Sequence, residues 1–330
     1  MRKYIIRRIF ISIIILFFVA LLIYCIMRLM PTSYVENLAR KRAETPGSTR
    51  TYKDWLDQLN AVYGLNENVA TGFFRWLGNA VRGNFGESWL FGISVTKKFS
   101  QVILDSVYLI FTATILEYCI AIPLGMLAAR KQYSKTDYAV TVFALLGISL
   151  PSFFLATMMK LVFSVKLGWF DLYGKVGRNF LSLSPFMQAL DIAHHYIMPI
   201  LTLTLISVGW LMRYTRTNML EVLNSDYIRT ARAKGLPESR VVSHHAFRNT
   251  LIPIVTMLGG LLPGLFSGAM ITEMLFQIPG IGYTSYQAIM AGDIPFAMFY
   301  MVFLAFMTLI GTLLSDILYA AVDPRIRIAG

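Results

Sequence analysis

Charged residues are few in this chain, and acidic residues are the scarcer kind. Only 15% of the 330 residues are charged, with 30 Lys and Arg against 18 Asp and Glu, whereas 56% are hydrophobic. A soluble globular domain is nearer one quarter charged. The apolar excess therefore indicates an integral membrane protein. The net charge of +12 lies in loops between apolar runs, which argues against nucleic-acid binding, since that needs a basic face on a soluble fold.

Cysteine and histidine are also scarce. Cys25 and Cys119 have neither metal-ligand nor redox spacing and imply no disulfide framework, so we interpret both as small buried hydrophobic residues. The pairs His194–His195 and His244–His245 are predicted not to bind a metal, because adjacent helical residues point about 100° apart and chelate poorly.

Sequence motifs of enzymes are missing from the chain. There is no G-x-S-x-G, no H-E-x-x-H and no paired acidic cluster. We therefore predict no catalytic residue and expect that the chain is not an enzyme.

Six apolar runs are each long enough to cross a bilayer as a helix, for which about 20 residues are needed. The N-terminal run is predicted to be a retained first helix, because no small-residue cleavage site follows it. The predicted spans are Ile9–Met30, Ser106–Ala128, Tyr138–Val162, Ile197–Met212, Leu251–Thr272 and Phe296–Ala321. The fourth run is the shortest.

Basic residues in the short loops predict the orientation. With the N-terminus in the cytoplasm, the cytoplasmic pieces hold most of the Lys and Arg, and the longer outside loops hold a near balance of signs. Both termini are therefore predicted to be cytoplasmic.

The first outside loop, residues 31–105, is too long for a simple hairpin. Apolar residues at helical spacing predict one or two short amphipathic helices in it. Such helices lie on the membrane surface, cap the external mouth or pack as a lid. The residues are Trp55, Leu59 and Val62, then Phe73, Trp76, Leu77 and Ala80.

A polar, basic cytoplasmic segment, residues 213–250, separates the fourth and fifth runs. A helix is predicted over Tyr227–Lys234, capped by Ser225 or Asp226 and stopped by Gly235. Pro237 then opens a second helix to about Phe247. Two short helices joined by a glycine turn form a rigid projection to which a partner can dock.

This arrangement resembles the cytoplasmic coupling loop of ABC importer permeases. The usual Glu-Ala-Ala of that loop is replaced by Arg229-Thr230-Ala231, a departure shared with the oligopeptide/dipeptide/nickel permeases. The chain is similar to that subfamily along nearly its whole length, apart from residues 31–53, and its long first loop resembles the first of the two permeases. The motifs include RGNFGES, IPLGMLAA, GISLPSFF, DYIRTARAKGL, HAFRNTLIP and EMLFQIPGIG.

The resemblance implies an all-α, six-span, type I ABC importer permease fold in one domain, residues 1–330. It implies a bacterial cytoplasmic membrane, a second permease, two cytoplasmic ATPase subunits and an extracytoplasmic substrate-binding protein. This chain lacks the G-x-x-x-x-G-K-[ST] phosphate loop and is expected to bind no cofactor, with ATP and Mg²⁺ on the ATPases. Residues predicted to dock the ATPase are Asp226, Tyr227, Arg229, Thr230, Ala231, Arg232, Lys234, Gly235 and Arg240.

The cargo implied by the resemblance is a peptide, with nickel or another metal chelate as the alternative. A secondary transporter is a further alternative, for which Glu117, the ionisable residue nearest mid-membrane, offers thin support. We predict that Glu117 lines the translocation path. Lys160 is predicted to snorkel, Asp316 to pair with Arg325 or a backbone end, and Glu273 with the turn 277–282 to be structural.

Overall fold

The computed structural model describes residues 2–29, 33–45, 50–62 and 66–322. These residues are all-α, as predicted, and their only β pairing is an isolated bridge between Glu87 and Ser94. The α-helices in chain order are α1 Arg2–Leu29, α2 Ser33–Ala43, α3 Tyr52–Val62, α4 Val69–Val81, α5 Val95–Arg130, α6 Lys135–Ser149, α7 Ser152–Met159, α8 Pro185–Leu223, α9 Asp226–Ala233, α10 Glu238–Arg240, α11 Phe247–Ser267, α12 Met270–Phe276, α13 Ile281–Ala291 and α14 Ile294–Val322. Wider π-helical turns continue α7 over Lys160–Lys166 and join α10 to α11 over Val241–Ala246.

The number of membrane crossings agrees with the prediction when bent helices are counted as single spans. Four helical runs, containing α1, α5, α8 and α14, are long and apolar enough to cross a bilayer. The α6–α7 pair and the α10–α11 run bring the number to six if each bent pair is one span.

The third predicted span is not straight. The prediction of one continuous helix over Tyr138–Val162 is wrong, because α6 and α7 meet at 103° around Leu150 and Pro151. Proline lacks an amide hydrogen and disfavours helical geometry in the residue before it. Leu150 is accordingly extended, with ψ of 126°, and the chain turns there.

The fourth span is the longest helix among the described residues, whereas the sequence predicted the shortest. With 39 residues, α8 is about 58 Å long, well beyond a hydrocarbon core of about 30 Å. The apolar run is shorter than the helix, because both ends of α8 carry polar residues such as Asp191 and Arg216. Most of its apolar middle is buried, which makes α8 the central helix of the bundle.

Close backbone contact joins α8 to α5. A Cβ atom on Gly125 of α5 would lie 2.6 Å from the Met212 carbonyl oxygen and 2.8 Å from Cβ of Thr215, both on α8. Small residues allow such approach in membrane bundles, where association relies on packing rather than on water exclusion. Any larger residue at Gly125 would separate the two central helices.

The segment before α5 contains three helices. The predicted amphipathic helices are confirmed as α3 and α4, and α2 is an additional helix that the sequence pattern did not predict. Phe73 on α4 is buried against Tyr24 of α1 and Met298 of α14. The segment ends at Ser94, so the predicted loop boundary near Asp105 is wrong. The helix α5 begins at Val95, eleven residues before the continuous apolar run that predicted it.

The fifth span ends at Ser267 rather than at the predicted Thr272. Gly268, with φ of +74°, ends α11, and the short helices α12 and α13 follow. Backbone that leaves helical geometry at membrane depth needs partners within the protein, because lipid offers no hydrogen bonds.

Glu273 on α12 supplies those partners. Its side chain is fully buried and accepts hydrogen bonds from the Ala269 amide at 2.9 Å, the Tyr283 amide at 2.8 Å and the Ser106 hydroxyl at 2.6 Å. Ser106 of α5 in turn accepts from the Ile281 amide at 2.7 Å. The structural role predicted for Glu273 is thereby explained.

Two further predictions need correction, and a third cannot be compared in full. Lys160 does not snorkel, because its Nζ donates to the Leu275 carbonyl at 2.6 Å and lies 3.9 Å from the Tyr173 ring centroid. Asp316 lies 3.1 Å from Nε of Arg8 on α1, and its predicted partner Arg325 lies outside the described residues. Cys119 is exposed on the outer face of α5, since the apolar run there faces outward.

Replacement of Glu273 by Ala should destabilise the protein strongly. Three donors would lose their acceptor, and each unsatisfied buried donor costs about 1–3 kcal/mol, so we expect a loss of at least about 3 kcal/mol. Denaturant unfolding in nanodiscs measures the effect. Glu221→Ala, at an exposed position of α8, is the matched control and should change little. Equal stability of the two variants would show that the hydrogen bonds to Glu273 do not stabilise the protein.

Candidate functional site

The short helix α9 is amphipathic and lies across one end of the bundle, here called the coupling end. Ile228 and Ala231, one turn apart, are buried, whereas the other positions of the helix are exposed. Apolar residues at i and i+3 on an otherwise polar helix fix its rotation about its own axis. The exposed face of α9 therefore has one defined orientation.

A cluster of apolar side chains, here called the platform, supports α9. It is built from three parts of the chain that lead into different spans. Its buried members besides Ile228 and Ala231 are Ala129 of α5, Met219 of α8, and Val241, Val242 and Ala246 of the π-helical turn before α11. A displacement of α9 is consequently transmitted to α5, α8 and α11 together, because packed side chains are hard to compress.

The two ends of α9 are formed differently from one another. Ser225 is the N-cap residue, but its hydroxyl donates to the Val222 carbonyl at 2.6 Å, so the predicted side-chain cap by Ser225 or Asp226 is wrong. The carbonyl of Ser225 accepts from the Ile228 and Arg229 amides instead. At the other end Gly235 has φ of +76° and its amide donates to the carbonyl oxygen of Arg232. This geometry confirms that the helix ends at the predicted glycine.

An ion pair closes the turn between α9 and α10. Arg232 donates from Nε to Glu238 Oε2 at 3.0 Å and from Nη2 to Oε1 at 2.8 Å, a two-point contact that fits the planar guanidinium group. This contact raises the pKa of the Arg232 side chain. Both side chains remain about half exposed, so the pair orients the turn and stabilises it modestly.

The predicted docking residues are exposed, with one exception. Ala231 is only 7% exposed and packs on the platform, so its predicted place among the docking residues is wrong. The helical period that exposes its neighbours turns it inward. The residues that are exposed together are Asp226, Tyr227, Arg229, Thr230, Arg232, Lys234, Gly235 and Arg240.

Sequence reasoning missed Ile228 and Glu238. Ile228 is the fully buried anchor of α9, and its spacing from Ala231 was the available signal. Glu238 could not be singled out, because its pairing with Arg232 depends on the path of the Gly235 turn.

The predicted second helix is not separate. The predicted range Pro237–Phe247 instead holds α10 and the π-helical turn, which continue directly into α11. The predicted coupling loop 213–250 is also too long, because α8 extends to Leu223. The connection proper is residues 224–237, short enough to hold α9 firmly between two long helices.

Glu117 lines an open groove of about 540 Å³ between α5, α8 and the α11–α12 connection. Polar groups from Thr114, Ser152, Ser207 and Thr272 share this lining with apolar ones. The predicted path residue therefore lies beside an open groove, away from α9.

The two histidine pairs have different surroundings. The His244 and His245 rings lie edge to face at the coupling end. His194 and His195 lie near the opposite end of α8, where their ligand atoms and one of Asp171 are within 4.8 Å of one another. Asp171, a residue distant in sequence, thus lies beside His194–His195, while the prediction that neither pair binds a metal stays a prediction.

Comparison with known proteins places this architecture in a family. The family of binding-protein-dependent transport system inner membrane components matches residues 121–328, more than half of the chain. The chain belongs to this family and is a multi-pass membrane protein. Its match begins within α5 and includes α9 and the whole platform.

Individual relatives match over almost the full length. The oligopeptide transport system permease protein AppB of Bacillus subtilis is 36% identical over 328 residues, 99% of this chain and 100% of that protein. A putative peptide transport system permease protein of Brucella abortus is 34% identical over 332 residues, 99% of each chain. A probable peptide ABC transporter permease protein of Sinorhizobium fredii is 31% identical over 327 residues, 99% of this chain and 100% of that protein.

Replacement of Glu238 by Gln should loosen the turn after α9. An exposed ion pair contributes about 0.2–1 kcal/mol, so hydrogen exchange at the Lys234 and Gly235 amides should accelerate by up to about fivefold. Hydrogen–deuterium exchange with mass spectrometry measures this. Ser239→Ala, at the next exposed position, is the control and should exchange like the parent protein. Unchanged exchange in the Glu238 variant would show that the pair does not order the turn.

Proposed function

We propose that the chain is a permease subunit of an ATP-driven importer of peptides and that α9 is its docking element for an ATPase subunit. The observation that carries the proposal is the mounting of an exposed, basic helix on a platform shared by three spans. Membership of the binding-protein-dependent transport family supports it. The peptide cargo is supported by the names of relatives that match along the whole chain.

The coupling works by rigid-body motion. A partner that closes on ATP binding moves whatever is seated in its surface groove. Because α9 is short, anchored by Ile228 and held between α8 and the α10–α11 run, it transmits that motion without bending. The helices that carry the platform then tilt together.

The exposed face of α9 suits a groove that carries acidic side chains and has room for an aromatic ring. Tyr227 is 49% exposed and extends from the first turn, while Arg229, Lys234 and Arg240 give the surface a positive charge. Asp226, 3.7 Å from Arg229, offsets part of it. The chain itself provides no phosphate loop, so ATP and Mg²⁺ belong to the partner subunits in this proposal.

A second permease completes the translocation path. The groove beside Glu117 is lined by this chain alone and is open to one side, so a second bundle is needed to enclose a peptide path. We place Glu117 on the path-lining side of α5, with an extracytoplasmic binding protein delivering the cargo at the end opposite α9.

The basic coupling end supports a cytoplasmic position for α9 and for both termini. Arg130 ends α5, Lys131 follows it and Lys135 begins α6, next to Ala129 of the platform. Basic residues concentrate on the cytoplasmic side of membrane proteins. The corresponding location is the cytoplasmic membrane of a bacterium.

Gly235→Asp should uncouple transport from ATP hydrolysis while leaving membrane insertion intact. No atom lies within 4 Å of a Cβ built at Gly235, so the penalty, about 1–2 kcal/mol, comes from the positive φ alone. Peptide uptake and ATPase activity of the reconstituted complex are measured together. Gly235→Asn should retain more uptake, because Asn has the same shape as Asp but adds no negative charge to the basic surface.

Gly78→Asp is the matched control for that variant. Gly78, on α4, has the same open space but an ordinary φ, and its variant should transport normally. Normal uptake by Gly235→Asp would contradict the docking role of the turn.

Loss of this chain should abolish peptide uptake. Cells lacking the chain are compared with complemented cells for uptake of labelled peptides and of nickel, the alternative cargo. We expect peptide uptake to fall and nickel uptake to persist. Purification of the tagged chain in mild detergent should recover a second permease and two ATPase subunits. Loss of nickel uptake alone, or recovery of the chain by itself, would overturn the proposal and revive a chelate importer or a secondary transporter.

A further inference from the structure

The Asp171–His194–His195 group lies at the end of α8 opposite to α9. Asp171 belongs to the irregular segment between the π-helical end of α7 and α8, and both histidines lie on the third turn of α8. The segment is held close to α8 by Asp191, whose Oδ2 accepts from the Gly177 amide at 2.8 Å. The three side chains are thus brought together by tertiary contacts.

His195 is oriented by its backbone neighbour. Its Nδ1 lies 2.7 Å from the Asp191 carbonyl oxygen, and since a carbonyl only accepts, Nδ1 carries the hydrogen. The other ring nitrogen, Nε2, therefore presents its lone pair. Histidines that bind metals are oriented in this manner, with the second nitrogen donating to a carbonyl or carboxylate.

The Nε2 atom of His195 is buried without a hydrogen bond. The His195 side chain is 2% exposed, and Nε2 lies 3.2 Å from Asp171 Oδ2 in a geometry that does not meet the directional requirement of a hydrogen bond. A lone pair facing a carboxylate at that distance is repulsive. A cation between the two atoms removes the repulsion and gives the buried nitrogen a partner.

The separation of the two atoms fits a tetrahedral metal ion. Zinc binds nitrogen and carboxylate oxygen at about 2.0–2.2 Å, which places two tetrahedral ligands about 3.4 Å apart. The 3.2 Å between Nε2 and Oδ2 agrees with this spacing.

His194 is the third ligand. Its ring stacks on Phe170, the neighbour of Asp171, with centroids 4.8 Å apart. Its ligand atom is within 4.8 Å of those of Asp171 and His195.

We propose that Asp171, His194 and His195 form a binding site for a divalent transition metal of the zinc class. Two imidazoles and one carboxylate favour metals of intermediate softness over Mg²⁺ or Ca²⁺. Three protein ligands leave the fourth position open to water or to an outside group. The bound ion links the segment before α8 to α8 itself, at the end where substrate enters in the proposed transport cycle.

Binding is tested with zinc alone and with cobalt as its coloured substitute. The full-length chain is purified in detergent through a tag without histidine. Calorimetry with Zn²⁺ should show one equivalent per chain, and Co²⁺ should give the strong visible absorption of a four-coordinate site. Asp171→Asn and His194→Gln should each weaken zinc binding at least about tenfold. Both residues are exposed, so neither change endangers folding.

The other histidine pair is the matched control. His244 and His245 are the remaining histidines of the chain, and the double variant His244→Gln/His245→Gln should bind zinc like the parent protein. Equal zinc affinity of Asp171→Asn, His194→Gln and the parent protein would overturn the site. So would loss of binding in the double variant, or the absence of stoichiometric zinc, which would leave a proton as the cation beside His195.

Discussion

The buried carboxyl group of Glu273 is the interaction on which the irregular part of the bundle depends. A chain in lipid must satisfy every backbone amide and carbonyl internally. This protein nevertheless leaves helical geometry between α11 and α13, at Gly268 and again at Gln277. Glu273 receives the amides released there and, through Ser106, links them to α5. Helix breaks within the bundle are tolerated because this one side chain collects their donors.

The two ends of α8 place the two proposed sites on one rigid element. Its central position and its length of 39 residues connect the platform beneath α9 to the Asp171–His194–His195 group. In the proposed coupling, a movement of α9 would therefore displace the whole of α8. A metal at the far end would fix the segment that α8 carries there, and so would restrain the same helix from the opposite side.

Local patterns predicted what depends on neighbours in sequence. Gly235 was recognised as a helix stop because its position after a polar helix requires positive φ, and α3 and α4 followed from apolar spacing. Predictions failed where a distant group intervened. Lys160 is drawn inward by the Leu275 carbonyl, and Ala231 is buried because the platform lies beneath it. The length of α8 was missed since its polar ends are stabilised by tertiary partners.

The sequence by itself determined the membrane class, the number of apolar runs, the family resemblance and the position of the short polar helix α9. Those properties follow from composition, periodicity and motifs that are read along the chain. Only the tertiary structure decided which face of α9 is free, where Glu273 finds its donors, and that Asp171 meets two histidines more than twenty residues away. Such contacts join residues far apart in sequence. Their geometry is fixed by how the helices pack, which no local pattern encodes.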